Sequence, residues 1–247
     1  MDYFSQRDLD IVKTSNIYRQ RDAAKRRAPA VGRYALEVQD TVNTNYKSTL
    51  RQRADLVQPH ICKNLIAVLE NPSDIKNIGQ VIRNVNALGV EKTYIVDCNK
   101  SLPDDWAEMR DRTSLNKASV SAVKWSFVKR FDSTEACLKH LEKMRYTSIV
   151  TSPHVKGKRN VVLHEGQYNQ SRLAVWFGNE ARGISTLAVE RSEFCVQIPM
   201  YGIIESLNLG TSTGIVLYEV TKQRRQFIQK YKRRRPRYIQ EFYQTNA

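Results

Sequence analysis

Two apolar pentads, residues 173–177 and 194–198, each run straight into a glycine-bearing polar turn and then into a helical pattern. The first turn is Gly178-Asn179-Glu180. The second runs through Pro199 and Gly202 to Ser206 and Asn208. Further strand candidates at 65–69, 92–96, 124–129 and 147–150 alternate with helical candidates at 74–87, 134–143, 184–191 and from Ser206 onward. Strands alternating with helices imply βαβ units. The fold class is therefore α/β, a mainly parallel sheet with helices on both faces. In open sheets of this kind ligands sit beyond the carboxyl ends of the strands, where both polar turns would lie. Helix starts there leave backbone N–H groups unpaired. A core does not need polar residues at such a junction, whereas a site that holds a ligand's polar groups does.

The alternation occupies residues 64–219. Residues 1–60 are polar and rich in Arg and Gln, with helical pieces at 34–42 and 49–57 and no evident core. The last segment is helical, with an apolar face of Ile215, Leu217 and Tyr218, and turns basic before Pro236. The expected organisation is a basic helical extension at 1–60, an α/β domain at 61–222 and a basic helix or tail at 223–247. The net charge of +15 calls for a polyanionic partner, of which nucleic acid is the commonest. Candidate phosphate contacts are Arg19, Arg26 and Arg27 on one flank and Arg224, Arg225, Lys232, Arg233 and Arg234 on the other.

The four cysteines, Cys62, Cys98, Cys137 and Cys195, are widely spaced, without CxxC or a neighbouring His cluster. A metal site and a disulfide framework are not expected, and free buried thiols fit a reducing cytoplasm. No apolar run reaches the length of a membrane span. The first eight residues lack the apolar core of a secretory signal. An unrelated nucleotide-binding α/β protein has no support, since GxGxxG and P-loop patterns are absent.

Three segments carry the polar chemistry. In the first, Asn77 and Arg83 stand six residues apart on one helical pattern and do not share a face. Taken alone, Arg83 reads as a surface arginine lying over the stripe of Ile78, Val81 and Ile82. Taken alone, Gly178-Asn179-Glu180 reads as an ordinary β-to-α loop, or as a turn cradling a ligand with its backbone N–H groups. Ser206 reads as a helix N-cap.

Together the three segments resemble the motifs of the SpoU (TrmH-type) branch of the SPOUT RNA methyltransferases, over residues 64–222. The first motif reads as Asn77, Arg83 and Gly89, and the second as Gly178, Asn179, Glu180, Gly183 and Ile184. The third runs from Ile198 to Asn208, followed by Tyr218 and Glu219. Two departures stand out. Gly79-Gln80 replaces the family's common Ser-Ala, and Gly210 replaces a common Ser. Gly210 inside a helix should cost about 1 kcal/mol relative to alanine.

The resemblance implies a C-terminal deep trefoil knot, a homodimer whose sites are completed by the partner chain, and S-adenosylmethionine as methyl donor, with S-adenosylhomocysteine as product. It implies donor binding by Gly178, Asn179, Ile198, Met200 and Leu207, and catalysis by Arg83 with Asn77, Glu180, Ser206 and Asn208. The reaction implied is ribose 2′-O-methylation of RNA. Arg83 serves as base or as stabiliser of the developing alkoxide; the sequence leaves both roles open. Within the family the flanking basic helices are most similar to the tRNA guanosine-18 enzymes. Ribosomal RNA methylation and non-catalytic RNA binding are the alternatives.

Overall fold

The computed structural model describes residues 46–234 apart from Asp104 and Lys158. The chain divides into two units, residues 1–60 and 61–247. In the first, the helix expected at 49–57 falls inside α1 (Tyr46–Val57). The helix expected at 34–42, and Arg19, Arg26 and Arg27, lie outside the described residues.

The second unit begins β1 (Cys62–Glu70), α2 (Ile75–Ala87), β2 (Val90–Val96), then two short helices, α3 (Trp106–Asp111) and α4 (Thr113–Ala118). It continues β3 (Phe127–Phe131), α5 (Thr134–Lys143), β4 (Thr147–Thr151), β5 (Asn160–Val162), β6 (Leu173–Phe177), α6 (Thr186–Glu190), β7 (Cys195–Gln197) and α7 (Leu209–Arg234). The seven strands form one sheet, in the order β3-β2-β1-β6-β4-β7-β5. Every neighbouring pair is parallel.

Side chains alternate across a strand, and here both faces are covered. Leu65, Ala67 and Leu69 of β1 pack with Ile78, Val81 and Val85 of α2 and Val216 and Val220 of α7. Ile66 and Val68 face the other way, onto Cys137, Leu138 and Leu141 of α5 and Ala188 of α6. Strand β2 pairs on one side of β1 and β6 on the other, with Leu69 opposite Phe177 at their carboxyl ends. The cleft opens beyond the carboxyl ends of β4, β6 and β7.

Several boundaries differ from expectation. The strand expected at 124–129 is β3 at 127–131, because buried Val123 belongs to a 3-10 turn, Ala122–Trp125, that packs into the α2 side of the core. The helix expected from Ser206 begins at Leu209, since Asn208 caps it. The one expected at 184–191 shortens to α6, capped by Ser185, whose Oγ accepts from the Ala188 N–H. Helices α3 and α4 and strand β5 span too few residues to show a period in sequence. Of the cysteines expected to be buried, Cys98 is exposed. The other three are buried, and burial pushes their thiols up from the ordinary range.

The basic flank also needs correction. Helix α7 passes through residues 222–223 without a break. Arg224 is 7 % exposed, and its guanidinium donates to the carbonyls of Gln170 (2.5 Å), Tyr168 (3.3 Å) and Lys63 (3.3 Å). It fastens α7 to the approach of β6 and the start of β1, and so is not a phosphate contact. Buried donors need such acceptors. Half-buried Arg225 donates to the Leu88 carbonyl at 2.6 Å. Lys232, Arg233 and Arg234 occupy the last turn of α7. The apolar face of Ile215, Leu217 and Tyr218 is split by the fold: Leu217 is fully buried, while Ile215 and Tyr218 are exposed.

Both departures at α2 and α7 have a packing reason. A Cβ on Gly210 would overlap Gln80 Oε1 and lie 2.9 Å from Gln80 Cβ and 3.1 Å from Asn208 Oδ1. Gln80 fills the space that a residue-210 side chain would need, so the pair is complementary. Gly210→Ser is expected to destabilise the fold by about 1–3 kcal/mol through overpacking. Gln80→Ala should be nearly neutral alone and should recover most of that loss in the double variant. Denaturant titration of the four proteins checks this, and strict additivity of the two changes would contradict the pairing.

Candidate active site

The crevice at the carboxyl ends of β4, β6 and β7 holds a cleft of about 700 Å³. Its walls are the loops after β4 (Thr151 to Lys156), after β6 (Gly178 to Ile184) and after β7 (Ile198 to Asn208), with Asn77 of α2 and the first turns of α7. Of the ten residues singled out for catalysis and donor binding, the cleft gathers Asn77, Gly178, Asn179, Glu180, Ile198, Met200, Ser206, Leu207 and Asn208. Arg83 is not among its lining residues; it is exposed on α2. Six residues at 100° each turn it about 120° away from Asn77.

A chain of hydrogen bonds crosses the three motifs. Asn208 Oδ1 accepts from the N–H groups of Gly210 (2.8 Å) and Thr211 (3.3 Å), capping α7. Its Nδ2 donates to Asn77 Oδ1 at 2.9 Å, and Asn77 Nδ2 donates to Glu180 Oε1 at 2.8 Å. Glu180 Oε2 accepts from Ser73 twice, from its N–H at 3.0 Å and its Oγ at 2.8 Å. Desolvation pushes the Glu180 carboxyl up, but the bonds from Asn77 and Ser73 outweigh it and hold its pKa below the ordinary value. The carboxylate is therefore the working form at neutral pH. Because its folded pKa is depressed, the network's contribution is complete above the ordinary carboxylate range and is lost as pH falls through the folded value.

The Gly178 turn differs from the cradle considered above. Asn179 N–H donates to the Gly183 carbonyl at 3.0 Å, and Gly183 N–H returns the bond at 2.9 Å. Asn179 Oδ1 accepts from the N–H groups of Ala181 and Arg182, both at 2.9 Å. Asn179 Nδ2 donates to the Asn71 carbonyl at 2.6 Å, tying this loop to the one after β1. Those turn amides are spent on the loop itself. The loop supplies a stiff wall, and Ser206, exposed on the opposite lip, completes the polar side.

Sequence reasoning did not find the loop after β4. His154 and Lys156 are exposed and bring an imidazole and a lysine side chain to the cleft, while Thr151 and Ser152 add hydroxyls. Nothing in the local pattern of that loop marked it; its position at the end of a central strand was the available signal. Ser73, next to the Asp74 cap of α2, is a further residue that sequence reasoning missed, and it holds Glu180. Among the described residues, no group of three or more His, Cys, Asp or Glu could hold a metal ion.

The SpoU rRNA Methylase family model matches residues 64–218. A tRNA (guanosine(18)-2′-O)-methyltransferase of Aquifex aeolicus (strain VF5) is 28% identical over 162 residues, spanning 66% of this chain and 71% of that protein. A 23S rRNA (guanosine-2′-O-)-methyltransferase RlmB of Vibrio vulnificus (strain CMCP6) is 26% identical over 170 residues, spanning 69% of this chain and 63% of that protein. The crystal structure of the A. aeolicus TrmH/SpoU tRNA modifying enzyme is similar with a TM-score of 0.59 and 25% identity, over 72% of this chain and 85% of that one.

Proposed function

The chain belongs to the SpoU rRNA Methylase family, and we propose that it methylates a ribose 2′-hydroxyl of RNA, with guanosine 18 of tRNA as its target. The observation that carries this reading is the convergence of nine motif residues on one cleft, stitched together by the Asn208–Asn77–Glu180 chain. The cleft fits an adenosyl group. Its volume lies in the range of small-molecule pockets, and Ile184, Val196, Ile198 and Leu207 offer an apolar wall beside polar lips. Gly178, Asn179, Ile198, Met200 and Leu207 would hold S-adenosylmethionine, which when bound supplies the electrophilic methyl and departs as a neutral thioether.

The protein's own share is orientation and charge. Asn77 and Glu180 are held from both sides, so neither is free to swing, and Ser206 and Asn208 stand at the same mouth. Such preorganisation can supply several kcal/mol by positioning alone. A guanidinium stays protonated at any working pH, so Arg83 acts as stabiliser of the developing alkoxide, and water or an RNA phosphate takes the proton.

The active form would be a homodimer in which Arg83 reaches the partner's cleft. Two features support pairing: Arg83 faces away from its own cleft, and apolar Ile215 and Tyr218 stand exposed on the neighbouring helix α7. Sedimentation is expected to give a dimer at micromolar concentration; a stable, active monomer would rule pairing out. The C-terminal part of the α/β domain would thread as the trefoil knot. Residues 1–60 and the basic end of α7 would act as RNA-docking extensions of the 61–222 domain. Cytoplasm is the proposed compartment; among the described residues no helix is long and apolar enough to cross a membrane.

The decisive experiment incubates the protein with total RNA and labelled S-adenosylmethionine and maps the ribose-methylated positions. Label at tRNA guanosine 18 is the expected result. Label confined to 23S rRNA favours the second reading, which the likeness to RlmB supports. Absence of both donor binding and label would sink the enzymatic reading.

A further inference from the structure

Helix α2 is hemmed by different neighbours around its circumference. Its core face packs on the sheet, and Gln80 and Asn84 meet α7, where Asn84 Nδ2 donates to the Gly210 carbonyl at 2.7 Å. On its opposite flank lie α4 and the 3-10 turn that follows. A Cβ on Gly79 would overlap Ala118 Cβ and come within 2.7 Å of the Ala118 carbonyl carbon, so glycine is what lets the end of α4 seat there. Two turns along, Asn86 Nδ2 donates to Ser126 Oγ at 3.3 Å. Arg83 leaves the helix about 40° from Gly79 and about 60° from Asn86, so it emerges beside this flank.

The flank has an unusual composition. Residues 75–90 contain no acidic side chain, and neither do residues 112–131, which carry Arg112, Lys117, Lys124, Lys129 and Arg130. Lys117 and Lys124 are exposed, and Trp125 between α4 and β3 is 40 % exposed. The turn that joins α4 to Lys124 is strained. Val120 has φ +52° and Ser121 φ +62°, a left-handed conformation that is costly for a β-branched residue. Burial does not compensate, since Val120 is 63 % exposed. The turn is held instead by backbone bonds, among them Ser121 N–H to the Asn116 carbonyl at 2.8 Å. Arg130 is paired with Asp132 at 2.9 Å, which leaves exposed Lys117 and Lys124 with Trp125 beside them, and lysines with an aromatic among them are the composition of a nucleic-acid strand platform.

We propose that this flank of α2, built from Lys117, the Val120–Ser121 turn, Lys124 and Trp125, binds the RNA strand that adjoins the target nucleotide. Trp125 stacks on a base, and the two lysines contact phosphates. The assignment rests on the RNA-methylating reading above and adds a contact surface that lies outside the cleft. Its place beside Arg83 lets one strand run over the platform and deliver its next ribose to the arginine.

The test uses the full chain, an unmodified tRNA transcript as probe, and a salt series from low to physiological ionic strength. Lys117→Gln with Lys124→Gln should flatten the salt slope by about 1.4 to 1.8, the sum expected for two phosphate contacts. Lys139→Gln with Lys143→Gln, an equal charge change on α5 across the sheet, should leave the slope unchanged. Trp125→Ala should weaken binding roughly five- to hundredfold at constant slope, because stacking releases no counterions, and Trp125→Phe should restore most of it. Donor binding by calorimetry and the thermal midpoint should hold in all the lysine variants. A patch double that behaves like the α5 control overturns the proposal, as does a folded Trp125→Ala that binds RNA normally. If such variants are unchanged while the wild type methylates RNA, the platform alone fails. If the wild type binds neither donor nor RNA, the underlying reading fails with it.

Discussion

Arg83→Ala is expected to lower the single-turnover methyl-transfer rate by about a hundredfold to a thousandfold, the loss typical of removing one donor aimed at developing charge. Donor affinity should hardly move. Arg83 is exposed on α2 and does not line the cleft, so its removal leaves the donor's walls intact. The Asn208–Asn77–Glu180 chain does not pass through it either. Loss of rate with donor affinity retained is the signature of a contact made to the reacting ribose rather than to the donor. Single-turnover rates and donor titration on the same preparation decide the matter. A variant that keeps more than about a tenth of the wild-type rate has lost less than a transition-state contact is worth.

The converse is expected of Gly178→Ala, which should weaken donor binding by roughly tenfold or more, an energy within the usual cost of overpacking. A Cβ there would overlap Ile184 N and Gly183 C and sit 2.6 Å from Gly183 O. All three are backbone atoms, so no rotamer change makes room. The loop must open, and the reciprocal Asn179–Gly183 bonds go with it. Glu180, between them, would then shift from Asn77 and Ser73. Calorimetric donor binding within threefold of wild type, on a folded variant, would contradict this. The two variants also test each other. Mixed dimers of Arg83→Ala and Gly178→Ala chains assemble one intact site if the arginine reaches the partner's cleft. Recovered activity is expected on mixing, and none appears if each arginine serves its own chain.

The alternation of strands and helices was legible because it is written in local periods. Residues 173–177 are β6 to the residue and residues 134–143 are α5. The two polar turns stood where a strand's carboxyl end meets a helix start, and the structure places both at the cleft. The loop after β4 carried no such local mark, only its place at a strand end. His154 and Lys156 acquire meaning only from β4 lying next to β6 and β7.

What the sequence determined by itself, then, is an α/β chain with its polar chemistry at strand ends, since strand period, helix period and turn chemistry are properties of neighbouring residues. What only the tertiary structure decided is how distant positions meet. Gly210 reads locally as a helix-weakening choice; in the fold it is the hollow that Gln80 fills. Arg224 and Lys124 are both basic residues in basic surroundings, yet the first is buried under four carbonyls and the second stands in water. A guanidinium can be buried where acceptors meet its donors. The sequence shows the donor, while the acceptors on Lys63, Tyr168, Gln170 and Ser171 are brought to it by the sheet order and by the path of α7 across the sheet.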